Sequence, residues 1–285
     1  MGAYLSLTKP RISLLFAVTG LAAILMEGSI ACPVQRTLLV LAIFLTGGSA
    51  NAFNQYFERD IDLIMTRTAL KRSLPMKKLS PRSALIFAIV TGIIGTGLLW
   101  LEGSFAAFVY GIFTILFYSF YYTLWLKPRT PYNIVIGGIA GSTGPLIGWA
   151  ASVGGWDFNW IPWILFLIVF FWTPPHFWAL AICCKEDYKK VNYPMLPLVK
   201  GDAYTRTQIV LYSFTLLPLT VWLYFAADLG LTYLVVSSLL GILFIVGAIR
   251  LFIKKTDKIS WQFFGYSILY LALLFIVIIG DLLVD

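Results

Sequence analysis

Long runs of apolar residues alternate along the chain with shorter polar segments. Each run is long enough for a helix to cross the roughly 30 Å hydrocarbon core of a bilayer. Nine such runs can be read, at residues 12–31, 38–57, 84–101, 106–125, 134–153, 161–183, 209–227, 231–251 and 263–284. Every backbone polar group in lipid must be satisfied within its own segment, which favours helices over open strands. The pattern therefore predicts an all-α membrane protein with nine transmembrane helices in a single bundle.

Composition excludes an ordinary soluble protein. Hydrophobic residues make up 60% of the chain and charged residues only 12%, whereas soluble domains carry about 25% charged residues. The net charge of +8 would fit a nucleic-acid ligand if the basic residues formed one patch. They lie instead in short loops between the apolar runs, so we expect a lipid bilayer around the chain and no nucleic-acid partner.

The basic residues also predict an orientation. Twenty of the 21 Lys and Arg residues lie in loops on one side of the predicted bundle, and Arg36 alone lies on the other. Positively charged loops remain in the cytoplasm, so the N-terminus is predicted to be cytoplasmic and the C-terminus, Asp285, to be outside. The first apolar run is too long for a signal-peptide core, and no transit-peptide composition precedes it. The expected location is a bacterial inner membrane.

Two of the inner loops are long and carry acids as well as bases. They span residues 58–83 and 184–208 and follow the second and sixth runs. Polar segments at one face indicate a shared site in a cavity that opens toward the cytoplasm. We expect residues 1–285 to form a single polytopic domain around that site.

The first loop begins at a candidate metal site. Asn54, Glu58 and Asp62 are spaced four residues apart, which places three oxygen-bearing side chains on one face of a helix. Acids at this depth are costly unless they are paired or bind a metal. Oxygen ligands of this kind suit Mg²⁺, which commonly binds one or two carboxylates together with substrate phosphates. The alternative is a solvated helix end at the headgroup level.

Basic side chains next to this helix end are candidate diphosphate ligands. Arg67, Lys71 and Arg72 follow in the same loop, and Lys127 lies in the next inner loop. A guanidinium group forms paired hydrogen bonds with phosphate oxygens, and an ammonium group supplies a point charge. The alternative is a basic loop that binds nothing.

The second long loop repeats the mixture of acids and bases. Lys185, Glu186 and Asp187 could hold a second metal ion or the far side of a diphosphate, or could form a solvated turn. His176, within the sixth run, is the one histidine of the chain, and ionisable residues inside a membrane are functional candidates. Pro174 and Pro175 predict a break or kink beside it.

Several stretches together resemble the intramembrane prenyltransferase superfamily that includes the 4-hydroxybenzoate polyprenyltransferases. The matching stretches cover residues 54–75, 127–138, 145–151, 175–181, 185–188 and 194–197. The last four, from residue 145 onward, are most similar to the members that farnesylate haem, although Glu58 stands where the family usually has Asp. The resemblance implies a nine-helix bundle with acidic motifs after spans two and six.

The resemblance also implies an activity. A farnesyl group would pass from farnesyl diphosphate to a vinyl group of protohaem IX (haem b, a substrate rather than a cofactor), with addition of water, in a Mg²⁺-dependent reaction. Asn54, Glu58, Asp62 and His176 would be catalytic, and Glu186 and Asp187 would complete the metal site. Arg67, Lys71, Arg72, Lys127 and Lys185 would bind the diphosphate.

Some roles and alternatives stay open at this stage. His176 could ligate the haem iron, contact a propionate or accept a proton from water. A haem A synthase or a terminal-oxidase assembly is the protein partner that this activity would suggest. The alternatives are a related enzyme with a quinone-ring or chlorin acceptor, and a haem transporter or scaffold without chemistry.

Overall fold

The structure, a computed structural model, describes residues 2–284 of the chain. Fifteen α-helices and two π-helical segments cover most of these residues, and none of them lies in a β-strand. The α-helices are α1 (Gly2–Leu7), α2 (Pro10–Glu27), α3 (Pro33–Phe57), α4 (Arg59–Ile64), α5 (Thr66–Ala69), α6 (Pro81–Leu98), α7 (Phe105–Leu116), α8 (Asn133–Ser142), α9 (Gly144–Ser152), α10 (Trp160–Cys183), α11 (Lys185–Lys190), α12 (Leu196–Val199), α13 (Gly201–Ala226), α14 (Leu231–Lys254) and α15 (Asp257–Val284). The π-helical segments are Leu99–Gly103, which continues α6, and Phe117–Leu126, which continues α7.

Nine helical segments within residues 2–284 are long and apolar enough to cross a membrane. The predicted all-α class and the predicted number of spans are therefore confirmed. The fifth span consists of α8 and α9, which meet at Thr143. The predicted outer position of the C-terminus falls on Asp285, which lies outside the described residues.

Several helices begin earlier than the apolar runs predicted. Helix α13 starts at Gly201, eight residues before the predicted run, and α15 starts at Asp257. A helix satisfies its own backbone hydrogen bonds, so it can continue beyond the hydrocarbon region with polar side chains on its surface. Hydrophobicity marks the part of a helix that lies in lipid, and so misses such polar ends.

The fifth and sixth spans form the centre of the bundle. In the most apolar stretch of each span, 78% of the residues are buried in Asn133–Ser152 and 72% in Trp160–Cys183, against 28–33% in the last three spans. Helix α10 packs against α8, α13 and α15, and α2 packs against α3 and α9. The central helices are therefore shielded from lipid by the others.

Pro174 and Pro175 do not interrupt α10, which runs unbroken from Trp160 to Cys183. Of the predicted break or kink, the break is therefore wrong. Neighbouring helices can support a helix where proline removes a hydrogen bond, and Trp172, Pro174 and Pro175 are all buried among them.

Helices α2 and α9 lie in close contact at Gly20 and Gly148. A Cβ atom on Gly148 would lie 2.2 Å from the carbonyl oxygen of Gly20 on α2, whereas a Cβ on Gly97 would meet nothing within 4 Å. We expect Gly148→Ala to destabilise the protein by about 1–3 kcal/mol, because the backbone of α2 must move. The measurement is the thermal unfolding midpoint in detergent, with Gly97→Ala as the control. Equal midpoints for both variants would contradict this packing.

Candidate active site

Glu58 stands between the end of α3 and the start of α4, and hydrogen bonds between residues four apart continue across it. The N–H of Glu58 donates to the carbonyl oxygen of Asn54 (3.0 Å), and the N–H of Asp62 donates to that of Glu58 (2.8 Å). Residues four apart share a helix face, so the three side chains lie on one side, here called the acidic ridge (Asn54, Glu58 and Asp62). Each is at most 3% exposed. Two carboxylates and one amide are thus buried at the end of the second span.

Three cations from separate segments contact the acidic ridge. Arg72 bridges the two carboxylates, with Nη1 3.3 Å from Oε2 of Glu58 and in direct contact with Asp62. Lys127 pairs with the other oxygen of Glu58. The Nζ of Lys9 donates to Oδ1 of Asn54 (2.9 Å). The ion pairs of Arg72 and Lys127 compensate the charges of the two carboxylates, which would be costly to bury alone. They also bring the N-terminal segment, the first long loop and the end of the fourth span to one end of the bundle.

A π-helical segment sets the position of Lys127. The segment Phe117–Leu126 precedes it, and the N–H of Lys127 donates to the carbonyl oxygen of Tyr122, five residues back (2.9 Å). A π-helical turn holds more residues than an α-helical turn, so it rotates the side chains that follow, and such turns occur frequently at functional sites. In this register the Lys127 ammonium reaches Glu58 and lies 5.1 Å from the centre of the Tyr193 ring.

The two carboxylates differ in their electrostatic surroundings. Burial alone would raise the pKa of Glu58, but the charges of Lys127 and Arg72 outweigh burial and lower that pKa to about 2. Burial, together with the charge of Glu58, outweighs the charges of Arg72 and Lys127 and raises the pKa of Asp62. Burial and the charge of Arg72 also lower the pKa of Lys9. Glu58 is therefore the more firmly ionised of the two acids.

The acidic ridge has the chemistry of a magnesium site that a substrate completes. Within residues 2–284, no group of three or more His, Cys, Asp and Glu side chains is placed to hold a metal ion by itself. Glu58 and Asp62 supply two carboxylates, and Asn54 can supply an amide oxygen. Mg²⁺ is typically bound by one or two carboxylates with phosphate oxygens and water as the other ligands. The residues therefore fit Mg²⁺ bound together with a diphosphate.

Asp187 joins the second long loop to the first. Its carboxylate accepts hydrogen bonds from the backbone N–H groups of Thr66 (3.1 Å) and Arg67 (2.9 Å), at the start of α5. Lys190 adds an ion pair (3.2 Å). Burial would raise the pKa of Asp187, but these hydrogen bonds outweigh it and lower that pKa. The guanidinium of Arg67 lies over the ring of Tyr188 at 5.8 Å. The two loops therefore meet through Asp187, although Asp187 does not touch the acidic ridge.

Other predicted ligands lie away from the acidic ridge. Lys185 pairs with Asp202 (2.8 Å). Glu186 and Lys71 are exposed, and no ion pair involves either of them within residues 2–284. Lys185, Glu186 and Asp187 also line a cavity of about 390 Å³ with Asp202. The structure thus brings Arg72 and Lys127 to the acidic ridge, whereas Lys185, Glu186 and Lys71 remain apart from it. Successive residues on α11 point in different directions, so Asp187 contacts the first loop and the preceding two residues do not.

His176 occupies a separate, apolar part of the bundle. It lies on α10 about 10 Å along the helix axis from Cys183 and is 6% exposed. Its Nδ1 is 2.6 Å from Oγ of Ser267 on α15. Its ring contacts are with aromatic side chains, and none of its contacts is with the acidic ridge. His176 therefore belongs to the interface between α10 and α15.

Sequence reasoning did not single out Lys9, Thr123 or Tyr193 as site residues. Thr123 accepts a hydrogen bond from Nδ2 of Asn54 (3.1 Å), so the amide of Asn54 is held on both sides. Lys9 looked like one more basic residue of an inner loop. Lys9 lies directly before Pro10, the first residue of α2, and therefore at the end of a span. This position is the one sequence signal that indicated a possible role for it.

Comparisons with known proteins identify the family of the chain. The model of the UbiA prenyltransferase family matches residues 13–277. A protein named protoheme IX farnesyltransferase from Symbiobacterium thermophilum is 41% identical over 281 residues, which cover 98% of this chain and 93% of that protein. A protein of the same name from Gloeobacter violaceus is 44% identical over 277 residues, which cover 96% of this chain and 89% of that protein.

Solved structures share the fold at low sequence identity. A structure of digeranylgeranylglyceryl phosphate synthase has a TM-score of 0.79 at 19% identity and covers 100% of this chain and 99% of its own. A UbiA homolog from Archaeoglobus fulgidus, bound to DMAPP and Mg²⁺, has a TM-score of 0.66 at 18% identity and covers 97% and 99%. From the family match over most of its length and the identity to these relatives, the chain belongs to the UbiA prenyltransferase family.

Proposed function

We propose that this chain transfers the farnesyl group of farnesyl diphosphate to a vinyl group of protohaem IX, with addition of water, and so forms haem O and diphosphate. The observation that carries the reaction class is the acidic ridge, where Glu58 and Asp62 are buried against Arg72 and Lys127. The acceptor is inferred from the relatives named protoheme IX farnesyltransferase, which match the chain over nearly its whole length.

The cations of the site suit a diphosphate leaving group. Arg72 and Lys127 approach the acidic ridge from two sides, and Lys9 lies beside Asn54. In the proposed complex Arg72 and Lys127 donate hydrogen bonds to diphosphate oxygens. Asn54, Glu58 and Asp62 would hold Mg²⁺, which would supply positive charge to the leaving group. Charge stabilisation aimed at the group that becomes more negative lowers the barrier to bond cleavage.

In the proposed reaction, the bond between farnesyl C1 and the diphosphate oxygen breaks, and its electron pair remains on the diphosphate. The π electrons of the haem vinyl group form the new carbon–carbon bond to farnesyl C1. Water then adds to the positively charged carbon next to the porphyrin and loses a proton. Apolar side chains around the farnesyl chain would limit earlier attack by water.

The proposal also covers the side of the membrane on which the site lies and the roles of Asp187 and Arg67. The end of the bundle that contains the acidic ridge carries the loops with 20 of the 21 Lys and Arg residues, so we place it on the cytoplasmic side of a bacterial inner membrane. Asp187 would reach the bound metal only if its hydrogen bonds to α5 were released. Arg67, at the same junction between the two loops, would bind the diphosphate.

The whole proposal is tested by product analysis. Purified protein in lipid vesicles receives farnesyl diphosphate, haem and Mg²⁺, and both haem O and released diphosphate are measured. We expect the two products in equal amounts, and we expect EDTA to abolish both until Mg²⁺ is restored. Consumption of a quinone-ring or chlorin acceptor in place of haem would identify a different prenyltransferase. Haem binding without diphosphate release would indicate a scaffold.

The acidic ridge is tested by exchanging one of its carboxylates. We expect Asp62→Asn to lower the turnover rate about 100-fold or more, because the site loses a charged metal ligand. The matched control is Asp60→Asn. Asp60 is two residues away, and its side chain is 78% exposed and 3.6 Å from Arg59. Equal activity of the two variants, both folded in the membrane, would contradict the metal assignment.

The diphosphate site is tested at Lys127. We expect Lys127→Met to lower kcat/KM for farnesyl diphosphate about 100-fold, because a charge facing the leaving group is lost. The control is Arg129→Met on the same loop, where the exposed guanidinium donates to the carbonyl oxygens of Leu124 and Trp125 and forms no ion pair within residues 2–284. Its effect should be about two-fold at most. Similar losses in both variants would mean that general loop charge, rather than Lys127, matters.

A further inference from the structure

The ring of His176 is held between two aromatic side chains. Its centre is 4.5 Å from that of Trp172 at an interplanar angle of 16°, and 4.6 Å from that of Phe264 at 21°. Trp172 precedes it by one turn on α10, and Phe264 comes from α15. Both faces of the imidazole are therefore covered, and only its edges can meet another group.

One edge of the ring contacts Ser267. Nδ1 of His176 lies 2.6 Å from Oγ of Ser267. That same Oγ donates to the carbonyl oxygen of Phe264 (2.7 Å). A serine hydroxyl has a single proton, and here the backbone carbonyl takes it. With the hydroxyl proton on that carbonyl, Ser267 accepts a hydrogen bond from Nδ1–H of a neutral His176, and the lone pair of the imidazole is on Nε2.

Trp172 locks this arrangement to the backbone of α15. Its indole Nε1–H donates to the carbonyl oxygen of Ser267 (2.7 Å) while its ring stacks on His176. The four residues Trp172, His176, Phe264 and Ser267, here called the α10–α15 clamp, thus restrict both the position and the tautomer of the imidazole. Within residues 2–284, the hydrogen bond of the imidazole is made by Nδ1, and no protein group bonds to Nε2.

A neutral imidazole with one nitrogen bonded to an oxygen and the other free has the usual arrangement of a histidine that binds a metal. The substrate under the proposed function contains an iron atom. We propose that Ser267 is a positioning residue that holds His176 with Nε2 directed at the iron of the haem substrate. The inference rests on the proposed function. Of the three roles open to His176, it excludes contact with a propionate, because a propionate would need a proton on Nε2.

The location of the clamp fits this role. His176 lies about 10 Å along the helix axis from the end of α10, away from the charged acidic ridge and among apolar side chains. Vinyl groups occupy the rim of a porphyrin, whereas the iron lies at its centre. An iron ligand deeper in the bilayer would leave the rim free to approach the diphosphate near Glu58 and Asp62.

Serine variants test the clamp. In Ser267→Ala the Nδ1–H loses its acceptor, so the proton can move to Nε2 and weaken the iron bond. We expect the Kd and the KM for haem to rise about 10- to 100-fold, and the iron–histidine stretching band of ferrous haem to shift or vanish. The KM for farnesyl diphosphate should stay unchanged. Ser267→Thr keeps a hydroxyl that can bond to the helix carbonyl and should restore the band.

The control is Ser237→Ala on α14. Ser237 is a buried serine whose hydroxyl also donates to the carbonyl three residues back, that of Leu234 (3.3 Å), and it lies outside the clamp. Its haem spectrum and KM values should equal those of the wild type. Thermal unfolding of every variant, without haem, separates a change of ligand from a loss of fold.

Three outcomes would overturn the inference. A wild-type haem spectrum in Ser267→Ala would show that Ser267 does not act on the iron ligand. An unchanged spectrum in His176→Gln would remove His176 as the ligand while leaving the proposed function intact. A shift in the pH profile of kcat, with an unchanged spectrum, would assign His176 to proton transfer from water. A wild-type protein that binds no haem at all would instead overturn the proposed function itself.

Discussion

The burial of two carboxylates at the end of a membrane helix is the constraint on which the rest of this site depends. An ion without a partner in a protein interior costs several kcal/mol, so Glu58 and Asp62 require cations nearby. Arg72 and Lys127 pair with them, and Lys9, from a third segment, bonds to the amide of Asn54 beside them. The first long loop must therefore fold back over α3, and the fourth span and the N-terminal segment must end beside it. One electrostatic requirement thus organises a whole end of the bundle.

The same arrangement separates the two kinds of chemistry that the proposed reaction needs. Charged groups gather around the acidic ridge, where a diphosphate would leave. The α10–α15 clamp lies deeper, among aromatic and aliphatic side chains, where a porphyrin and a prenyl chain are stable. Asp187 links the second loop to the backbone of the first, so motifs that follow spans two and six become one surface. A preorganised site of this kind needs little rearrangement during the reaction.

Local spacing accounts for the parts of the site that could be predicted from sequence. Residues four apart share a helix face, so Asn54, Glu58 and Asp62 could be grouped without any tertiary information. Spacing could not show which basic residues of the loop contact the acidic ridge. Which of them reaches the ridge depends on the path of the loop between α5 and α6, and that path is set by contacts with distant segments. The position of Lys127, which the π-helical turn sets, likewise could not be predicted from spacing alone.

The sequence by itself determined the membrane class, the nine spans and the helical ridge, because bilayer thickness and helix periodicity act on neighbouring residues. Tertiary structure alone decided that Arg72 rather than Lys71 bridges the acids, that Asp187 rather than Glu186 faces the first loop, and that α10 passes unbroken through Pro174 and Pro175. It alone also placed His176 against Ser267, 91 residues away along the chain. Those outcomes depend on which groups meet across helices, and hydrophobic pattern and spacing carry no information about partners that are far apart in sequence.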